Sequence, residues 1–146
     1  MRVVRLLMIC LASLGALNCA GDDRVSLSLA ASVSRGAGAR IALADHAKLA
    51  WDKACIFAPY TPDTVIDAVT GVQGAAKQAH SIESREDINL LLFVHEGNIA
   101  ASVAHRRDRG DFGPELVGRC YSREQAVFSV REEPAGSWRT IGPSQP

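Results

Sequence analysis

Residues 88–105 read Ile-Asn-Leu-Leu-Leu-Phe-Val-His-Glu-Gly-Asn-Ile-Ala-Ala-Ser-Val-Ala-His. Two apolar runs, Ile88 to His95 and Ile99 to His105, flank Glu96-Gly97-Asn98. Glycine followed by asparagine between such runs signals a β-hairpin. The first run is apolar at both parities, so it belongs in the middle of a sheet with cover on each face. The second run sets Ile99, Ala101 and Val103 on one face and small residues on the other, which leaves room for a helix to approach closely.

Upstream, Ala54-Cys55-Ile56-Phe57-Ala58 is a compact apolar run stopped by Pro59, which reads as another core strand. Thr61-Pro62-Asp63-Thr64 then starts a short helix. Threonine can cap it, proline suits the first helical position, and Asp63 complements the positive end of the helix dipole. Val65, Ile66 and Val69 give this helix an apolar face, and Gly71 stops it. Residues 41–51 read as a second short helix with Leu43, Ala47 and Ala50 on one side. Residues 73–87 are polar and read as a loop with one exposed strand near 79–83.

Downstream, residues 106–119 form a Gly- and charge-rich connection. Gln125 to Arg131 alternates as a strand, and Pro134-Ala135-Gly136 ends it. Trp138 and Ile141 are expected to fold back onto the domain. Strands and helices do not alternate regularly. The expectation is therefore one α+β domain over 41–146, with a mainly antiparallel sheet of four to five strands and one or two short helices.

The beginning of the chain carries a different signal. Arg2 and Arg5 precede an apolar run from Leu6 to Leu17, followed by small and polar residues, which is the pattern of an export signal. The run is shorter than the roughly 20 apolar residues of a membrane span. Leu14 to Ala20 resembles a lipobox ending at Cys19, although Ala16 and Asn18 stand where such boxes favour a large aliphatic and a small residue. A simple secretory cut after Ala20 is the alternative. Residues 1–19 are thus expected to be a leader, lipoprotein-type or secretory. With Ala20 after the cysteine, a chain lipidated at Cys19 is expected at the outer membrane facing the periplasm; the secreted alternative is soluble. In residues 20–40, Val25, Leu27 and Leu29 alternate with Ser26 and Ser28, which suggests a first strand or a tether.

The chain has 146 residues with 16 basic and 16 acidic side chains. Without the leader about 126 residues remain, enough for one domain, at 14 basic against 16 acidic. That balance gives no electrostatic reason to expect nucleic acid or an anionic membrane surface as partner. Any membrane contact would come through a lipid on Cys19. Either cleavage route leaves Cys55 and Cys120 as the remaining pair, and in an oxidising compartment a disulfide between them is expected.

Candidate chemistry is thin. His95 and His105 sit at opposite ends of the hairpin, roughly 20 Å apart, so no metal is expected between them. His46 and His80 read as exposed polar residues. Arg109-Gly110-Asp111 spells an adhesion tripeptide that three letters produce by chance, and the Arg106–Arg109 cluster reads as a solvated loop. No nucleophile elbow or phosphate loop is present. No catalytic residue, metal ligand or cofactor is assigned. Trp51, Phe57 and Tyr60 within ten residues could line a recognition surface; the favoured reading is Trp51 and Phe57 in the core and Tyr60 covering an edge.

Trp51-Asp52-Lys53-Ala54-Cys55-Ile56-Phe57-Ala58-Pro59-Tyr60, together with Gly110-Asp111-Phe112 and Gly118-Arg119-Cys120-Tyr121, resembles a group of small exported bacterial proteins. That group carries a W-D-x-x-C-x-F-x-P-Y segment, a hairpin, and later a G-D-F and a cysteine. Many members have glycine where this chain has Ala58. The resemblance covers roughly residues 41–130. It implies an envelope protein or lipoprotein with Cys55 and Cys120 as partners, and it supplies no reaction. The function expected is a non-enzymatic module that binds an envelope protein or a cell-wall component. The alternative is a small hydrolase or ligand-binding enzyme assembled near the two cysteine segments, with Tyr60, Asp111 and Arg119 as first candidates.

Overall fold

The computed structural model describes residues 19–144, with side chains from residue 23 onward. The chain forms one α+β domain whose strands divide between two four-stranded sheets. The central sheet contains β2 (Lys53–Phe57), β3 (Ile88–His95), β4 (Asn98–Arg106) and β6 (Arg119–Ser122), in the order β4-β3-β2-β6. The second contains β1 (Arg40–Ala42), β5 (Asp111–Phe112), β7 (Val127–Val130) and β8 (Thr140–Pro143), in the order β1-β7-β8-β5. All pairings are antiparallel except β5 with β8.

The doubly apolar run Ile88 to Val94 is buried throughout, as its pattern requires, with a core on each side. On one face Leu91 and Phe93 join Ala54, Ile56 and Val103 in the larger core, which the second sheet closes with Ile41, Phe128, Val130 and Ile141. On the other, Leu90 and Leu92 join Cys55 and Phe57 under Ile66 of α3 (Asp63–Thr70) and Ala75, Ala79 and Ile82 of two 3₁₀ turns. The one polar residue inside the strand, Asn89, is satisfied because its Oδ1 accepts from the Phe112 amide at 3.0 Å.

The hairpin loop is Glu96-Gly97, both at positive φ (48° and 75°), which suits the twist of the flanking strands. Asn98 is already in the ladder opposite His95. The register slips between Phe93 and Val94, where Ala101 and Ile99 are the partners and Ala100 is the extra residue. This bulge corrects the expected face of Ile99, which packs with the α3 core while Ala101 and Val103 pack with the other. The small residue Ser102 does admit a close neighbour, a 3₁₀ turn whose Gln78 carbonyl accepts its hydroxyl.

Other expectations change. Residues 25–29 are neither strand nor tether. They lie inside α1 (Cys19–Val33), which buries Val25, Leu29 and Val33 at a spacing of four along one helical face. The leader expected over residues 1–19 lies outside the described residues except for Cys19, the first residue of this helix. The expected helix over 41–51 shrinks to α2 (Leu43–His46) after β1, with Ala50 exposed. The strand near 79–83 is replaced by 3₁₀ turns. Pro62, not Thr61, occupies the N-cap position of α3, and the Thr61 hydroxyl donates to the Ala58 carbonyl at 2.7 Å. Gly71 ends α3 in the left-handed conformation as expected.

The disulfide joins Cys55 of β2 to Cys120 of β6, which face each other directly in the ladder with Cα atoms 3.9 Å apart. It ties the edge strand to the centre of the sheet across 65 residues of sequence. Among the described residues, no helix is long and apolar enough to cross a membrane.

Candidate functional site

Most residues of the two sequence segments have structural work. Trp51 is buried, edge-on to Phe93 at 5.3 Å, with the Arg123 guanidinium 4.8 Å from its ring. Asp52 holds the hairpin loop by accepting from the Glu96 amide at 2.7 Å and lying 3.2 Å from His95 Nδ1. Those two contacts, the amide first, hold its carboxyl below the usual range. Phe57 is fully buried. Gly110 lies at φ 134°, and a Cβ there would stand 2.8 Å from Val33 Cγ2, so only glycine lets α1 pack so closely. Phe112 sits edge-on to both His105 and Phe128.

Tyr60 is different. Its ring is 57% exposed, and its backbone lies at φ 62°, uncommon for any residue but glycine and its turn substitutes. Hydrogen bonds from its amide to the Ile82 carbonyl at 2.9 Å and the Arg85 carbonyl at 3.3 Å hold that conformation. The phenol donates to Glu86 Oε2 at 3.2 Å. That carboxylate pushes the phenol pKa up and keeps it a neutral donor.

Beside it, Arg107 donates to both carboxylate oxygens of Asp111, at 2.9 and 2.7 Å, and to the Glu86 carbonyl at 2.9 Å. The same guanidinium lies 5.4 Å from the centre of the Trp138 ring. Trp138 folds back against Arg107 and the end of α1 as expected but stays 53% exposed, whereas its companion Ile141 is fully buried. Tyr60, Glu86, Arg107, Asp111 and Trp138 therefore form one connected surface set, in which Tyr60, Glu86 and Trp138 are exposed and the Arg107–Asp111 pair is half-buried. No family model, curated protein or solved structure matches the chain.

The surface brings together two of the three residues that the sequence offers as candidates for a site. Tyr60 and Asp111 meet through Arg107 and Glu86, whereas Arg119 is on β6, opposite Ile56, outside this connected set. Arg107 and Trp138 were not singled out from the sequence. The four-residue spacing of Arg107 and Asp111 was the available signal, obscured by the neighbouring Arg106 and Arg109. Arg106 is bonded to Asp108, so part of the cluster does stay solvated and self-paired.

The histidines are separate from this surface and from each other. His95 is beside the hairpin loop, and His105 is at the far end of β4, fully buried. Ser26 Oγ lies 2.9 Å from His105 Nδ1, while Nε2 has no hydrogen-bond partner. Burial drives the His105 pKa down to about 4, against a smaller opposing contribution from the Gly110 backbone. His46 is half-buried, not exposed, with Ser28 Oγ 2.8 Å from its Nδ1, and burial lowers its pKa too. Both pair a serine of α1 with a histidine of another element, Ser26 with His105 of β4 and Ser28 with His46 of α2. The first is sealed from solvent. The second borders none of the three surface grooves that run along residues 36–40 and 127–144 or beside Trp138.

Proposed function

We propose that this chain is an exported cell-envelope protein and works as a non-enzymatic binding module. Its partner, an envelope protein or cell-wall component, is engaged by the surface that Tyr60, Arg107 and Trp138 form. One observation carries the reading: an aromatic residue is held exposed, at a backbone angle that disfavours it, next to a paired arginine and a second exposed aromatic. Exposed aromatics and arginine are the residues that dominate binding hot spots. Backbone conformations of this kind collect where ligands are gripped. The leader pattern and the Cys55–Cys120 disulfide support export.

Lipidation of Cys19 and outer-membrane anchoring belong to the same proposal. Because Cys19 is also the first residue of α1, the lipid would join the domain without an intervening tether. Radiolabelled palmitate should enter the wild-type protein and not Cys19→Ser. A secreted, unlabelled wild type would replace anchoring by simple secretion.

The binding surface is tested by placing a photo-crosslinking amino acid at Tyr60 and, as a control on exposed α3, at Val65. Irradiation of intact envelopes should give a discrete adduct from position 60 and not from 65. Equal adducts from both, or none from position 60 across growth conditions, would overturn the assignment.

A further inference from the structure

Trp138 stands at a groove of about 350 Å³ between the C-terminal end of α1 and the segment that enters β8. Two guanidinium groups border it. Arg139 is fixed in place, with Nη1 donating to the Val33 carbonyl at 2.8 Å. Gly36, at φ 101°, leaves room for it, since a Cβ there would stand 3.3 Å from the same nitrogen. One donor is spent on the carbonyl, and an arginine carries five. Arg109 is the second. The neighbouring pairs are Arg106 with Asp108 and Arg107 with Asp111, which leaves Arg109 without an ion pair among the described residues. Asp108, the one carboxylate on the groove wall, is already held by Arg106 at both oxygens.

The groove thus offers net positive charge and a flat indole stabilised by Arg107 over its ring. Ser34 and Ser137 add hydroxyls, while Ala30 and Val33 are too small to bury an acyl chain. A ligand that suits all of these is ring-shaped, polar, apolar on one face and negatively charged. Guanidinium–carboxylate hydrogen bonds are among the strong ones, and indoles accept a flat partner on the ring face. An acidic peptide would satisfy the arginines and leave the indole wet.

We propose that this groove binds a carboxylate-bearing saccharide of the uronic-acid class, stacked on Trp138 with its carboxylate on Arg109 and Arg139. The inference rests on the reading of the chain as an envelope-binding module and gives that module its ligand class.

The test is titration of the purified, disulfide-bonded protein with hyaluronan tetrasaccharide, with neutral chitotetraose, and with a tetraglutamate peptide. Of the two tryptophans, Trp51 is buried and Trp138 exposed, so a fluorescence change absent from Trp138→Phe reports the groove. The acidic saccharide should give a saturable change, and Arg109→Gln should weaken it by about tenfold, as expected for loss of a charged hydrogen bond. Calorimetry with Trp138→Ala, which alters an exposed residue, should show binding lost. No saturation by the acidic saccharide, equal binding of chitotetraose, or equal or tighter binding of the peptide would overturn the inference. Failure here with an intact Tyr60 adduct removes the ligand class and leaves the binding module. A lost adduct with saccharide binding retained does the reverse for the protein-facing surface.

Discussion

Tyr60 and His105 each hold a conformation or charge state that a free residue would avoid, and each can be tested singly. A non-glycine residue in the left-handed region costs roughly 1–2 kcal/mol, and glycine at position 60 removes that cost while loosening the unfolded chain. Tyr60→Gly should therefore stay within about 1 kcal/mol of wild type by urea unfolding, because the lost ring is mostly solvated. A fall of more than about 2 kcal/mol would show that the ring is a structural prop and not a presented surface. At His105 the folded pKa of about 4 is below the usual 6.5. The native state therefore binds fewer protons than the unfolded chain between those values. Stability is full above pH 6.5 and declines as pH falls toward 4, by about 2 kcal/mol between pH 7 and 5. The half-buried His46 adds to the decline in the same direction. Urea titrations at the two pH values should show this fall, with a smaller one in His105→Asn. An identical pH dependence in the variant would remove His105 as the cause. Tyr60 could be flagged from its sequence neighbours, whereas the burial of His105 could not, because its partner Ser26 is 79 residues away.

Among the elements, α1 shows why a local pattern can be read two ways. Val25, Leu27 and Leu29 alternate, as a strand would, but Val25, Leu29 and Val33 also repeat every four residues. Leu27 decides it, since it points to solvent at 55% exposure while the other three enter the core. Only a wider window, reaching Val33, distinguishes the two periods. The burial of Leu29 predicts a cost of about 2–5 kcal/mol for Leu29→Ala, by cavity formation. A tether would tolerate the change, so a silent Leu29→Ala would return this segment to a tether. The hairpin was legible because its two runs are long and its loop chemistry is local. The bulge at Ala100 was not, because neither strand's own pattern reveals which residue its partner skips. The strands β1, β5 and β8, of two to four residues each, are too short to carry a period.

The partition into two sheets is a property of the whole molecule, and it explains why the sequence pattern revealed the fold class and only the larger part of the sheet. In the central sheet β2, β3 and β4 come from apolar runs and the edge strand β6 does not; in the second only β7 alternates legibly, while β1, β5 and β8 are short segments ordered by the core beneath them. The disulfide was legible from cysteine arithmetic because either expected way of processing the leader leaves the same pair. Its structural role was not, since Arg119–Ser122 carries no apolar run or alternation that would announce β6 as a strand. That role now fixes a prediction. β6 has one neighbour, β2, in its sheet, and four paired residues hold it there. Cross-linking a loop of 65 residues removes roughly 4 kcal/mol of unfolded-state freedom in the chain-entropy account. At roughly 4 °C per kcal/mol for a domain of this size, the double variant Cys55→Ala/Cys120→Ala should melt roughly 15 °C lower. Scanning calorimetry of the oxidised protein against the variant measures this directly. Because Cys55 is fully buried under α3 and Cys120 is not, amide exchange in the variant should rise first in β6 and in residues 113–118, before β3. A variant that melts within about 3 °C of wild type would show that packing against β2, and not the covalent link, holds the edge of the sheet.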